Sequence, residues 1–372
     1  MSGSGSKEGS GTGARRDAVG SISPAGSAAG WRPSAGRASL SKRAELLAEI
    51  RSFFHRRGVL EVETPLLARH GVTDPHLHSL GVEVRYPGIE GSKRLFLQTS
   101  PEFAMKRLLA AGSGPIYQIS KAFRDDEAGR FHNPEFTMLE WYRPGFDQHR
   151  LMDEMDELLA ATLDAGPAER LTYREAFRIQ ARVDPLTASP RELESAARDA
   201  GIEVSGSGPN ADSADAGAAG GEMTGDDLLH LLSSHLVEPH LGRTVDGRGR
   251  PRPTFLFDYP ASQAALARVR AGSRDEPAVA ERFEVYLGGV ELANGFHELA
   301  DAEEQAERFL GDLEERRRRG LPEPEPDPRL LAALRHGLPD CAGVALGIDR
   351  LLMLATGAEH IREVLAFPID RA

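Results

Sequence analysis

The run FRDDEAGRFHNPEFTMLEWYRPG, Phe123 to Gly145, constrains this chain more than any other stretch. It reads as two strands around a charged loop. Alternation along a strand from Phe136 to Arg143 puts Phe136, Met138, Glu140 and Tyr142 on one face and Thr137, Leu139, Trp141 and Arg143 on the other. On the preceding strand Gln118, Ser120, Ala122 and Arg124 share a face, so a hairpin with its loop from Asp125 to Pro134 brings Arg124 beside Phe136. An arginine able to fork onto phosphate oxygens, next to a ring on which a base can stack, describes a nucleotide site. A sheet with a charged rim fits the same residues equally well.

Two further stretches shift that balance. GVALGIDRL places Gly343 and Gly347 on a strand entering a helix, where missing side chains permit close backbone approach, and sets Arg350 in the first helical turn to cover a second face of a base stacked on Phe136. In RFEVYLGGVELANG, a Gly288-Gly289 turn pairs Leu287 with Val290 and Glu284 with Ala293. Glu291 then lies diagonally from Glu284, near enough for a magnesium ion to bridge them, with solvated acids on a hairpin as the alternative.

The rest of the chain frames these strands. The first forty residues are mostly Gly, Ser and Ala, too poor in large apolar groups to offset ordering entropy, and read as a disordered tail. From Ser41, taken as a cap, a helix carries Leu46, Leu47, Ile50, Phe53 and Phe54 on one broad face and stops at Gly58. VLEVETPLL reads as a strand halted at Pro65, and LFLQTSPEFAMKRLLAAG as strand, turn and helix with Pro101 in the first helical turn. Residues 151–165 form an amphipathic helix, and residues 201–225 read as a flexible insertion within one domain running from 41 to 372. No segment approaches an apolar span or a signal-peptide core, which points to the cytoplasm. Cys341 stands alone, excluding an intrachain disulfide.

Charge excludes one class of partner. The chain is formally -12, and its first forty residues are net +3, which leaves the remainder near -15. A protein gripping a long polyanion shows a basic footprint, so extensive tRNA binding is disfavoured. The run ERRRR, Glu315 to Arg319, reads as a solvated helix end.

With those residues assembled, the chain resembles class II aminoacyl-tRNA synthetase catalytic domains of the lysyl type, and among them the short paralogues that ligate lysine to elongation factor P. VLEVETPLL is similar to motif 1, the Phe123–Gly145 run to motif 2 and GVALGIDRL to motif 3, in the family's order and with TSPE and ELANGFHEL between them. The resemblance implies an α+β fold, mainly antiparallel sheet flanked by helices, with motif 1 making a homodimer interface. It implies ATP and Mg²⁺, with Arg124 on the α-phosphate, Phe136 and Arg350 around adenine, and Asp125, Asp126, His132, Asn133, Glu291, Leu292 and Gly347 also at the nucleotide. Glu284 and Glu291 match the magnesium carboxylates. For the amino acid it implies Ser100, Pro101, Glu102, Glu140, Tyr142, Asn294, Phe296, Glu298 and Ala345. Strand parity sets Glu291 opposite Asn294 and Glu298, so one shared face needs a bulge around Ala293 to Gly295.

Two positions depart from the family pattern. Asp126, followed by Glu127, stands where motif 2 ordinarily has glutamate, leaving open which acid serves. Ala345 replaces a glycine common in lysyl-tRNA synthetases, ahead of Asp349, and agrees with the branch that prefers (R)-β-lysine over α-lysine. That branch implies transfer to a lysine ε-amine of elongation factor P. The forty residues ahead of motif 1 offer no anticodon-binding barrel, which favours the protein acceptor. A shortened enzyme acting on tRNA or a small molecule, and a non-catalytic regulatory paralogue, are the alternatives.

Overall fold

The computed structural model describes residues 31–85, 87–88, 91–125, 127–204, 223–274 and 276–372. Helix α1 (Arg37–Arg56) buries Leu46, Ile50, Phe53 and Phe54 along one stripe, and Gly58, at φ +65°, ends it in the left-handed conformation that glycine tolerates best. The helix begins four residues ahead of Ser41, which therefore does not cap it. Gly36 occupies that position without a side-chain cap, and the start is set by tertiary docking instead. The Ser34 and Ala35 N–H groups donate to the Ala366 and Leu365 carbonyls at 2.8 and 3.1 Å, and Ala35 is buried. The folded chain thus reaches upstream of the boundary expected at residue 40; residues 1–30 lie outside the described residues.

Strand pairing is more broken at motif 1 than its apolar run suggests. Strand β1 (Leu60–Glu61) pairs parallel with β5 (Ile116–Phe123), while β2 (Leu67–Ala68), β3 (Gly81–Val84) and β4 (Lys93–Leu97) make a separate small sheet in the order β2-β4-β3. Pro65 separates β1 from β2. Helix α2 (Glu102–Ala110) follows β4, with Pro101 at its N-cap and not within the first turn.

The main sheet adds β6 (Glu135–Pro144), β7 (Glu169–Thr172), β8 (Thr254–Pro260), β9 (Val269–Arg270), β10 (Val279–Leu287), β11 (Val290–His297) and β12 (Cys341–Gly347). Its order is β1-β5-β6-β12-β11-β10-β8-β7, with β9 on β10, and every pairing except β1–β5 and β7–β8 is antiparallel. Helices α3 (Gln148–Leu163) and α9 (Ile348–Thr356) join α1 against one face, around Leu139, Trp141, Val344 and Leu346. The opposite face is the one that carries Glu140 and Tyr142.

The remaining helices close the ends of the sheet. Helices α4 (Tyr173–Gln180), α5 (Pro190–Asp199) and α6 (Gly225–Leu232) share a core with Leu256 and Tyr286, and residues 205–222 of the expected insertion lie outside the described residues. Helices α7 (Ala302–Arg318) and α8 (Pro328–Gly337) pack with α2 around Ile116 and Cys341. Within ERRRR, Arg316 is not solvated. It is buried and donates to the carbonyls of Asp74 and Pro322 at 2.7 and 2.5 Å, because the following segment folds back over the helix end.

The β10–β11 hairpin corrects the expected register. Leu287 does pair with Val290, but Glu284 faces Asn294 and not Ala293. Leu292 is an extra, unpaired residue between the Tyr286–Glu291 and Val285–Ala293 pairs, so the bulge falls at Leu292, ahead of the Ala293–Gly295 position expected. One inserted residue reverses the parity of everything after it. Glu291, Asn294 and Phe296 consequently share the face of Glu284.

Candidate active site

Motif 2 builds the nucleotide half. Ala122 pairs with Phe136, the Arg124 N–H donates to the Pro134 carbonyl at 3.0 Å, and the Arg124 guanidinium carbon lies 5.1 Å from the centre of the Phe136 ring. Arg124 Nη1 is 3.4 Å from Glu127 Oε1, making Glu127 the described acid beside it; Asp126 lies outside the described residues. The Asp125 N–H donates to the His78 carbonyl at 2.9 Å, tying the loop to the segment after β2. Among the described residues buried Arg124 Nε has no hydrogen-bond partner, which leaves it available to an anionic ligand.

Arg350 reaches this loop from α9. Its Nη2 lies 2.6 Å from His132 Nε2, and its Nη1 donates to the Glu291 carbonyl at 2.8 Å with Glu291 Oε2 at 3.3 Å. Burial, then the neighbouring Arg350, holds the His132 pKa below its ordinary value and favours a neutral, accepting ring. Asn133 instead anchors the C-terminal segment, its amide donating to the Glu135 carbonyl at 2.6 Å and accepting the Ile369 N–H at 3.0 Å. Gly347 opens space, since a Cβ there would meet nothing closer than Arg350 at 3.9 Å. Leu292 turns its side chain into the core, so any nucleotide contact falls to its backbone. Asp349 is structural, accepting the Thr137 N–H at 2.7 Å and pairing with Arg43 of α1.

The acidic pair sits beside Arg350. Glu284 accepts from Arg282 Nη2 and from the Tyr286 hydroxyl, each at 2.5 Å. Burial would raise its pKa, but Arg282 and the tyrosine hydroxyls outweigh burial and keep it ionised. Glu291 is pushed up by the packing around it and then by Glu284, the mark of two carboxylates that a cation would relieve. Glu238, which sequence reading missed, is raised to about 7 by burial and Glu284. Among the described residues no group of three or more His, Cys, Asp or Glu is disposed to hold a metal ion. A magnesium ion on Glu284 and Glu291 would take its other oxygens from phosphate and water.

The third part is a pocket of acceptors. One row across the sheet runs Gln118–Glu140–Ala345–Asn294, and the next runs Ile116–Tyr142–Gly343–Phe296. The Tyr142 hydroxyl donates to Glu140 Oε1 at 2.6 Å. Helix α2 brings in Glu102, whose N–H is capped by Ser100 Oγ at 3.3 Å across Pro101, and Glu298 enters just past β11. Phe296 closes the pocket's side and packs against the core shared by α4 to α6. Among the described residues Gln118 Oε1, Glu140 Oε2 and Asn294 Oδ1 are buried acceptors without a donor. Such a lining asks for a ligand rich in N–H donors. Burial, then Glu102, pushes Glu140 well up, and burial raises Glu298 to about 7 against the pull of Lys106.

One residue of this pocket escaped the sequence reading, and a second was read only as a site of close backbone approach. Lys106 is buried with Nζ 2.7 Å from Glu102 and 2.6 Å from Glu298; its spacing from Glu102 imitates an ordinary surface pair on a helix, and only the flanking Met105 and Leu109 signalled a buried face. Gly343 admits the Tyr142 ring and Glu298 together, because a Cβ there would lie 2.5 Å from Glu298 Oε1 and closer still to the ring. Its position opposite Tyr142 could have been counted from the strands.

An antiparallel sheet with a motif 2 arginine over a stacking ring, a motif 3 arginine at a helix start and an acceptor-lined pocket between them defines a class II synthetase catalytic domain. The family model for class II tRNA synthetases (D, K and N) matches residues 28–371, and the chain belongs to that family. Within it, the chain is 51% identical over 344 residues to the elongation factor P--(R)-beta-lysine ligase of Yersinia enterocolitica, covering 92% of this chain and 99% of that protein. Proteins of the same name from Salmonella arizonae and Salmonella paratyphi B are each 51% identical over 342 residues, covering 92% of this chain and 98% of theirs.

Proposed function

We propose that this protein activates lysine or (R)-β-lysine with ATP and transfers it to a lysine ε-amine of translation elongation factor P. The observation that carries the reading is the acceptor-rich pocket, with Glu102, Glu140, Glu298 and the oxygens of Gln118 and Asn294 that find no donor among the described residues, set beside Arg124, Phe136 and Arg350. The near full-length similarity to ligases of that name supports the acceptor.

The chemistry needs positioning and charge, with no side-chain nucleophile. The substrate carboxylate attacks the α-phosphorus, pyrophosphate leaves, and an aminoacyl adenylate remains. The acceptor amine then attacks its carbonyl carbon, AMP departs with the bonding pair, and an amide is left. Arg124 and Arg350 stabilise the charge that grows on phosphate oxygens in the first step. Magnesium bound by Glu284 and Glu291 would neutralise the phosphates further. Carboxylates in the pocket orient the two ammonium groups and leave the substrate carboxylate facing the nucleotide.

We also infer a homodimer through motif 1, where Leu60, Leu66 and Leu67 stay exposed beside a cavity of about 490 Å³ lined by Glu63, Thr64 and Pro65. Light scattering on the purified protein checks it. No described helix is long and apolar enough to cross a membrane. We infer a cytoplasmic reaction from the proposed translation-factor substrate alone.

The decisive experiment combines the enzyme, ATP, Mg²⁺ and either lysine isomer with elongation factor P, and in parallel with tRNA. One alkali-stable aminoacyl mass added to the factor, with negligible charging of tRNA, is expected. Alkali-labile charging of tRNA with no mass gain on the factor would overturn the acceptor. Absence of pyrophosphate exchange would overturn the enzyme itself.

A further inference from the structure

Lys106 is a buried ammonium inside a pocket built to hold ammonium groups. Its side chain is 1% exposed and lies between Glu102, one helical turn before it on α2, and Glu298, which is itself 1% exposed. Burial alone would lower its pKa, but Glu102 and Glu298 outweigh that and hold the group above its ordinary value, so it stays charged. Other titratable groups among the described residues surround this cluster. Strand β6 presents Glu140, bonded by Tyr142; β12 presents the Cys341 thiol, which burial keeps neutral; and His297 is engaged by Glu281 and Asp340 at 2.6 and 3.0 Å.

The charges then count as follows. Glu102, Glu140 and Glu298 supply three carboxylates within one buried site; Glu102 and Glu298 raise the proton affinity of Glu140, and Glu102 raises that of Glu298. Lys106 cancels one. What is left matches a ligand with two ammonium groups, and three uncompensated carboxylates would instead retain a proton.

We propose that Lys106 is a positioning residue that acts as the pocket's built-in counter-cation, setting its charge to that of a diammonium substrate by pairing with both Glu102 and Glu298 from between them. This rests on the reading of the pocket as the lysine site. Lys106 would act through the two carboxylates it pairs with.

The test measures amino-acid-dependent ATP–pyrophosphate exchange from pH 6 to 9 for the parent and Lys106→Met, with nucleotide affinity measured separately by calorimetry. Removing the cation raises the pocket carboxylates, so the acid limb of kcat/KM for lysine or (R)-β-lysine should move to higher pH by roughly one unit or more. KM for the amino acid should rise about tenfold or more, with kcat changed less and nucleotide affinity retained. An unmoved limb and an unchanged KM would overturn the proposal. A parent enzyme that exchanges pyrophosphate with neither isomer would instead overturn the lysine reading.

Chemical rescue separates charge from packing and serves where Lys106→Met fails to fold. Lys106→Ala should regain folding and exchange in propylammonium chloride and not in 1-propanol. Equal recovery with both, or recovery with neither, would mean that Lys106 merely fills space.

Discussion

Gly343→Ala is the sharpest probe of the pocket, because the added methyl has nowhere to go. Its Cβ would lie 2.5 Å from Glu298 Oε1 and closer to the ring of Tyr142. Neither neighbour yields easily: Tyr142 is 2% exposed with its hydroxyl fixed to Glu140 at 2.6 Å, and Glu298 is clamped by Lys106 at 2.6 Å. Forcing a methyl into so closed a site costs about 1–3 kcal/mol. Strain that remains in the free protein lowers its melting temperature by roughly 1–4 °C. Strain relieved by displacing Tyr142 and Glu298 appears as a rise of about 5- to 150-fold in KM for the amino acid. Nucleotide binding should be untouched, since Arg124 and Phe136 lie at the other end of β5 and β6. Thermal unfolding and lysine-dependent pyrophosphate exchange measure the two parts. An unchanged melting temperature with an unchanged KM would refute the close approach of Tyr142 and Glu298 on which the pocket depends.

Other outcomes follow from the same geometry. Arg124→Ala and Arg350→Ala should each cost about 2.7–4 kcal/mol of transition-state stabilisation, the loss of one electrostatic donor, and near-normal exchange in both variants would remove them from the nucleotide site. Ala345 sits in the row between Glu140 and Asn294, so Ala345→Gly should shift the ratio of kcat/KM for α-lysine and (R)-β-lysine by about 1–3 kcal/mol; comparing exchange with the two isomers checks it. Glu298 titrates at about 7 in the free pocket, and a substrate ammonium favours its ionised form. KM for lysine should therefore be lowest above pH 7 and rise as pH falls through that value, and a flat KM between pH 6 and 8 would count against Glu298 as a substrate ligand.

Much of the nucleotide half was legible because it depends on local pattern. Alternation along β6 and a short loop were enough to bring Arg124 over Phe136, and a Gly-Gly pair was enough to locate the β10–β11 turn. The start of α1 was not legible, since backbone bonds from Ser34 and Ala35 to the C-terminal segment, and no cap of its own, decide it. Asp349 likewise looked like a variation next to the motif 3 arginine, and its bond to the Thr137 N–H appears only once α9 docks against β6.

The sequence by itself determined the family, the order of the motifs and which strands carry the arginines, aromatic ring and acids, because those are properties of neighbouring residues and of period-two alternation. Tertiary structure decided the rest. An unpaired Leu292 reversed the parity of β11 and brought Glu291, Asn294 and Phe296 to the face of Glu284, and a bulge is a contest between two strands' pairings that neither strand encodes alone. Glu102 and Lys106 have the spacing of a solvated pair, yet they meet Glu298 in a buried pocket because α2 packs with Tyr142 and Cys341 of the sheet, near where β11 ends. Whether a charge is solvated or buried is set by distant segments that exclude water from it, and that exclusion makes the Lys106 ammonium part of the pocket's electrostatics.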